Sequence, residues 1–218
     1  MSHLIMNLKN INYYYPNGSF VFKNLNFKLN SDDRIGLLAP NGSGKTTLFH
    51  IIMGLIKPIS GTIKIFGKLR NCEKDFIEVR KRIGLLFQNS DDQLFCPTVL
   101  DDVAFGPLNL NQSTDEAISI ARSILKFLGI LHLEERVTHR LSGGEKKIVS
   151  IATILSMNPE ILLLDEPSSG LDIKNKDRII NILCDLNRTC IIVSHELDLL
   201  SKTTKNIFTI ENGKIFCV

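Results

Sequence analysis

A chain of 218 residues, 44% hydrophobic and 22% charged, is long enough for one sizeable soluble unit with a core of its own. Its formal net charge of +3 is too small to argue for nucleic acid or an anionic membrane surface as a partner, and no nucleic-acid partner is expected. The 5 cysteines are scattered and lack C-x-x-C spacing, which argues against a disulfide scaffold or zinc site and suits a reducing compartment.

In chain order, "MSHLIMNLKN" has neither the apolar core nor the small-residue cleavage site of a signal peptide. "INYYYPNGSFVFKNLNFKLN" (11–30) alternates on either side of Pro16-Asn17-Gly18-Ser19, which predicts two antiparallel strands joined by a turn. "DRIGLL" (33–38) is a short apolar strand that runs into the loop "APNGSGKTT", and "KTTLFHIIMGL" (45–55) has helical spacing and stops near Gly54 and Pro58. "GTIKIFG" (61–67) and "RIGLLFQ" (82–88) predict further strands, and 98–157 reads as helical. In that region Ser113 and Glu116 form a capping box ahead of a face of Ile118, Ala121, Ile124, Leu125 and Leu128. Then follow a buried strand "ILLLDE" (161–166), a helix over 173–187, the strand "CIIVS" (190–194) and a hairpin turning at Asn212-Gly213. Apolar runs such as "HIIMGLI" fall short of the ~18 residues that cross a bilayer, so any crossing is expected of another chain. The pattern predicts one α/β unit over 1–218: a mostly parallel sheet, an N-terminal antiparallel β-subdomain, and a helical subdomain inserted at about 89–157.

The loop carries the first chemistry. Gly44, Lys45 and Thr46 match the end of the phosphate-loop pattern G-x-x-x-x-G-K-[ST], but its first Gly is Ala39. Gly42 and Gly44 supply positive φ where the backbone approaches a phosphate, while Ala39 precedes Pro40 at the mouth, where extended backbone costs Ala nothing. The stretch Asn41, Gly42, Ser43, Gly44, Lys45, Thr46, Thr47 is therefore read as a phosphate cradle that makes the core a P-loop NTPase. Asp165 and Glu166 end a buried strand. There an Asp can hold Mg²⁺ opposite Thr46 and the next carboxylate can polarise a water, although a solvated acidic turn would look the same. Ser142-Gly143-Gly144 opens a second helix N-terminus, either a second anion site or a plain cap. Gln88 and His195 each follow an apolar strand, where parallel sheets open onto a ligand crevice, though His195 could be an ordinary strand-end histidine. A chain with two anion sites can bind one nucleotide between two copies of itself.

Taken together and in order, these segments resemble an ATP-binding-cassette (ABC) ATPase along essentially the whole chain. "APNGSGKTT" resembles Walker A, Gln88 the Q-loop glutamine, "LSGGEKK" the family signature, "ILLLDE" Walker B, "SSGLD" with Asp172 the D-loop, and His195 in "IIVSHE" the switch histidine. The resemblance implies ATP and Mg²⁺, the metal held by Thr46, Gln88 and Asp165. It makes Glu166 the base, with His195 and Gln88 beside it in catalysis. Tyr15 resembles the aromatic that stacks on adenine, with Tyr13 and Tyr14 as open alternatives. It also implies a head-to-tail dimer, homomeric or with a second ABC ATPase, in which Ser142, Gly143 and Gly144 of one chain meet the ATP on the other.

"FQNSDDQLFCPTVLDDVAFGPLNL" (87–110) resembles the energy-coupling-factor and cobalt/nickel import ATPases, with Ser90 where Pro is usual. The implied function is uptake of a metal ion or vitamin through an integral membrane subunit at the cytoplasmic face, with substrate choice resting in that subunit. Many such ATPases add a C-terminal dimerisation domain. This chain runs to Val218, so a stable nucleotide-free dimer is not expected. The membrane subunit is expected at Gln88–Phe95, with Leu94 and Phe95 lining a groove for a helix and Asp91, Asp92, Asp101 and Asp102 meeting its basic residues; packing of Leu94 and Phe95 inside the helical subdomain is the alternative. A soluble mechanochemical ATPase acting on DNA or ribosomes would be expected to carry long coiled coils or a second cassette, which this chain lacks. A silent nucleotide-binding partner would not need Glu166, His195 and Ser142.

Overall fold

The computed structural model describes residues 3–38, 40 and 42–218. Strands β1 (Leu4–Tyr14) and β2 (Phe20–Asn30) pair antiparallel on either side of the expected turn. Their alternation buries Met6, Leu8, Ile11 and Tyr13 from one and Phe22, Leu25, Phe27 and Leu29 from the other. β4 (Ser60–Ile65) and β5 (Lys68–Leu69) extend this sheet in the order β2-β1-β4-β5, so the strand expected at 61–67 belongs to the antiparallel sheet.

The second sheet contains β3 (Arg34–Leu38), β6 (Ile83–Leu86), β7 (Ile161–Asp165), β8 (Thr189–Ser194), β9 (Asn206–Glu211) and β10 (Lys214–Cys217), ordered β10-β9-β3-β8-β7-β6. All its pairings are parallel except the terminal hairpin β9–β10. β7 and β8 are buried along their whole length, as strands covered on both faces must be. Ile161, Leu163, Ile191 and Val193 point into a core shared with the antiparallel sheet and α1 (Lys45–Ile52). Their neighbours Leu162, Leu164, Cys190 and Ile192 point into a second core. That core is covered by α3 (Val99–Asn109), α4 (Thr114–Phe127), α5 (Gly143–Leu155), α6 (Ile173–Asp185) and α7 (Leu197–Thr203).

The helical region is less continuous than the periodicity predicts: 3₁₀ turns at Leu131–Leu133 and Thr138–Arg140 separate α4 from α5. The Ser113–Glu116 capping box is present. Behind it the buried face is Ala117, Ala121, Leu125 and Leu128, with Ile118 and Ile124 at its edge. The helix over 173–187 stops at Asp185, because Leu186 leaves helical backbone. Two helices have no counterpart in the sequence reading: α2 (Glu73–Arg82), which buries only Phe76 and Val79, and the seven-residue α7.

Candidate active site

The carboxyl ends of β3, β6, β7 and β8 lie along one edge, and the segments that follow them carry the polar groups. The loop after β3 is bent by Gly42 and Gly44 at φ 80° and 96°. A side chain at Gly44 would also meet Val21 Cγ1 at 2.5 Å, so glycine is required there twice over. α1 starts at Lys45, which is buried, as is Thr47. Ser43 Oγ is buried with no hydrogen-bond partner, an oxygen available to a ligand. Ala39 and Asn41 lie outside the described residues, and with them the expected extended backbone at Ala39 and the place of Asn41 in the cradle.

Three titratable side chains meet behind this loop. Lys45 Nζ donates to Glu166 Oε1 at 2.9 Å, with both side chains almost completely buried. The other carboxylate oxygen, Oε2, is 2.9 Å from His195 Nδ1. Glu166 sits at φ 48°, a left-handed conformation that costs a residue with a side chain about 1–2 kcal/mol. Its N–H donates to the Val193 carbonyl at 3.0 Å, which anchors the strained turn to β8.

Beside this group, Thr46 Oγ1 donates to Asp165 Oδ2 at 2.6 Å. Asp165 Oδ1 is buried without a partner. Burial pushes the Asp165 carboxyl above its ordinary range and the hydrogen bond from Thr46 pulls it back. Thr46, Gln88 and Asp165 all line one cleft of about 570 Å³, so the three oxygen donors named together from sequence are brought together. His50, one turn beyond Thr46 on α1, lines the same cleft and was not singled out; its i+4 spacing from Thr46 was the available signal.

Tyr13 is buried and Tyr14 is exposed on the strand, whereas the Tyr15 hydroxyl lies 2.7 Å from Thr47 Oγ1. Of the three tyrosines, Tyr15 thus reaches the loop. The Ser142 side chain closes a capping box with Glu145, as the plain-cap alternative has it. Gly143 has open space around it, while a side chain at Gly144 would meet Asn175 at 2.6 Å. Asn175 in turn donates to Asp172, the cap of α6. The two glycine-rich helix starts therefore sit on different elements, α1 and α5. Glu196 was also missed: it accepts from Ser168 Oγ at 3.2 Å and Lys176 Nζ at 2.9 Å, which ties the loop after Glu166 to the turn holding His195.

The aspartates of the 89–107 segment depart from expectation. Asp102 is buried, and its Oδ1 accepts the Phe95 and Cys96 N–H groups. Asp91 pairs with Lys146 at 2.6 Å, and Asp101 accepts from Thr98. Only Asp92 stays exposed without such a bond among the described contacts. Leu94 is half-buried against the helical core, so it is not a free surface residue, but Phe95 is 66% exposed.

No helix among the described residues is long and apolar enough to cross a membrane. The family profile described as ABC transporter matches residues 22–169. An energy-coupling factor transporter ATP-binding protein, EcfA of Methanocaldococcus jannaschii, is 43% identical over 215 residues, covering 97% of this chain and 77% of the relative. Among solved structures, CbiO1 from Clostridium perfringens, part of the ABC transporter complex CbiONQ, superposes with a TM-score of 0.85 at 35% identity, covering 98% of this chain and 87% of that one. The dimeric structure of MJ0796, a bacterial ABC transporter cassette, superposes at 0.86 with 28% identity and covers 97% of this chain and 96% of that one.

Proposed function

The chain belongs to the ABC transporter family as an ATP-hydrolysing subunit, and from that premise we propose that it powers uptake of a metal ion such as cobalt or nickel, or of a vitamin, from the cytoplasmic face of a membrane. The likeness to EcfA and to CbiO1 supports import, and the segment 87–110 supports an integral membrane partner. The observation that carries the reading is Glu166 held between Lys45 and His195, next to the Thr46–Asp165 pair.

In this reading residues 1–218 act as one cassette with a helical subdomain at about 89–157. Each ATP lies between the loop Gly42–Thr47 of one copy and Ser142, Gly143 and Gly144 of another, with adenine against Tyr15 and Asp172 at the joint. Thr46, Gln88 and Asp165 would hold Mg²⁺, and the unpartnered Asp165 Oδ1 fits that role. A single carboxylate with hydroxyl and amide oxygens suits a cation whose shell is completed by phosphate and water. Bound there, Mg²⁺ supplies charge neutralisation on the β- and γ-phosphates. Lys45 and His195 engage both Glu166 oxygens. A γ-phosphate competes for Lys45 and leaves Oε1 to accept a proton from the attacking water, while His195 steadies the phosphate. Hydrolysis is thus conditional on a filled site.

The membrane partner docks beside Phe95. Phe95 packs edge-to-face on Phe105 with centroids 4.9 Å apart, and with Leu55 and Met157 they line a groove of about 340 Å³. Asp102 lies at the floor of this groove, buried and holding the Phe95 and Cys96 N–H groups, so it shapes the groove while the exposed apolar rim receives the apolar face of an amphipathic helix. Phe95→Ala is expected to abolish recruitment to vesicles carrying the membrane subunit and ATP-driven uptake of labelled cobalt, nickel or vitamin. Basal ATPase and melting temperature should be unchanged. A melting temperature lowered by several degrees with recruitment intact would place Phe95 in the fold and the partner elsewhere.

A further inference from the structure

α5 buries a lysine that the mechanism above does not use. Lys147 is 3% exposed and is flanked by the apolar run Ile148, Val149, Ile151 and Ala152, where a leucine or methionine would pack without desolvating a charge. Its Nζ donates to the Gln88 carbonyl at 2.7 Å and lies 3.4 Å from that of Phe87. Burial lowers its pKa, and the nearby Asp165 and Glu166 carboxylates oppose that shift. Neighbouring bonds hold the same backbone from both sides. Gln93 accepts the Phe87 N–H through Oε1 at 3.1 Å and donates to Ser150 O and Thr153 Oγ1 on α5, each at 2.8 Å. Lys146 pairs with Asp91. Within this set, Lys147 alone reaches residue 88 itself.

We propose that Lys147 is a positioning residue: by gripping the Phe87 and Gln88 carbonyls it sets the Gln88 side chain against Thr46 and Asp165, and it ties that placement to the helix that begins at Ser142. Gln88 is exposed in the cleft and no side-chain bond of its own fixes it among the described contacts, so what the fold fixes is its main chain, the point from which its amide reaches into the cleft. The lysine stem spans from α5 to the end of β6, and its ammonium supplies more than one donor to carbonyls that would otherwise be left without this partner. The proposal rests on the reading of Gln88 as a metal-side residue.

A double-mutant cycle of Lys147→Met and Gln88→Ala tests it, with kcat, KM for ATP and the Mg²⁺ concentration for half-maximal activity measured on the full chain, and with the affinity for Mn²⁺ beside a non-hydrolysable ATP analogue read by EPR, which both substitutions should lower. Lys147→Met should lower kcat at least about tenfold, leave KM within about threefold and raise the Mg²⁺ requirement, as Gln88→Ala does. Combining the two should add no further loss, since one acts through the other. Losses that multiply, or a Lys147→Met chain with normal kcat and Mg²⁺ requirement beside an impaired Gln88→Ala chain, would overturn the proposal alone. A fully active Gln88→Ala chain would instead remove the role given to Gln88, and the proposal with it. If melting curves show that Lys147→Met does not fold, Lys147→Gln, which keeps a donor on a shorter stem, should show a smaller loss that again adds nothing to that of Gln88→Ala, and a loss that multiplies with it overturns the proposal.

Discussion

Glu166→Gln should bind ATP, form a long-lived dimer with it, and hydrolyse it about 10²- to 10⁴-fold more slowly than the native chain, the range for loss of a positioned base. The amide matches the carboxylate in size and still offers an oxygen to Lys45 and a second polar group to His195, so the buried turn at Glu166 has no steric reason to rearrange. What it cannot do is take a proton from water.

The substitution also separates the two states of Lys45. Without nucleotide, the buried ammonium loses its carboxylate. Removing one partner of a buried pair costs about 3–5 kcal/mol at most, and less where an amide hydrogen bond remains. With ATP, phosphate oxygens supply negative charge in its place. The variant should therefore melt below the native chain without ligand, and MgATP should raise its melting temperature by a larger increment than it does natively. Size-exclusion chromatography with MgATP reads the dimer. A variant that elutes as a monomer and hydrolyses at the native rate would strip Glu166 of its role as base.

The parts of the site that could be read from the sequence are those whose chemistry sits at the end of a strand. Asp165, Glu166 and His195 each follow a short apolar run, and a parallel sheet delivers such ends to one edge, so their company was legible before their contacts; Thr46, on α1, was legible from the Gly-Lys-Thr end of the loop motif instead. The contacts were not. Lys45 and Glu166 stand 121 residues apart, and nothing local to either announces an ion pair or the positive φ at Glu166. Asp102 looks like any surface acid in "LDDVAF". Its burial depends on the Phe95 and Cys96 amides turning back onto α3, a tertiary fact. α2 escaped because "EKDFIEVRKR" is mostly charged and its start is capped through Cys72 and Asp75, a residue pair that does not advertise a helix. Lys147 escaped for the opposite reason: in "GGEKKIV" it reads as one more solvated charge.

The second large effect concerns how the site is divided. Lys45→Ala and Ser142→Arg chains should each be inactive alone, at least about a hundredfold below native, because each spoils both composite sites of its own dimer. The geometry motivates the split. Lys45 faces Glu166 across its own cleft, whereas Ser142 caps α5 with Glu145, and Gly144 faces Asn175 on α6. A loop on α1 and a helix start on α5 can meet one nucleotide when a second copy is placed head to tail. Arg at Ser142 fills the space a phosphate would need there and keeps the rest of the helix. In a two-fold pair of one chain of each kind, one site combines both defects and the other is intact. Random mixing in equal amounts should then restore up to about a quarter of native activity if one site suffices. The mixture is assayed for ATP hydrolysis after heterodimers are verified by differential tags. No recovery in verified heterodimers would mean that a lone composite site cannot turn over, and a Ser142→Arg chain fully active by itself would take the "LSGGEKK" segment out of the site altogether.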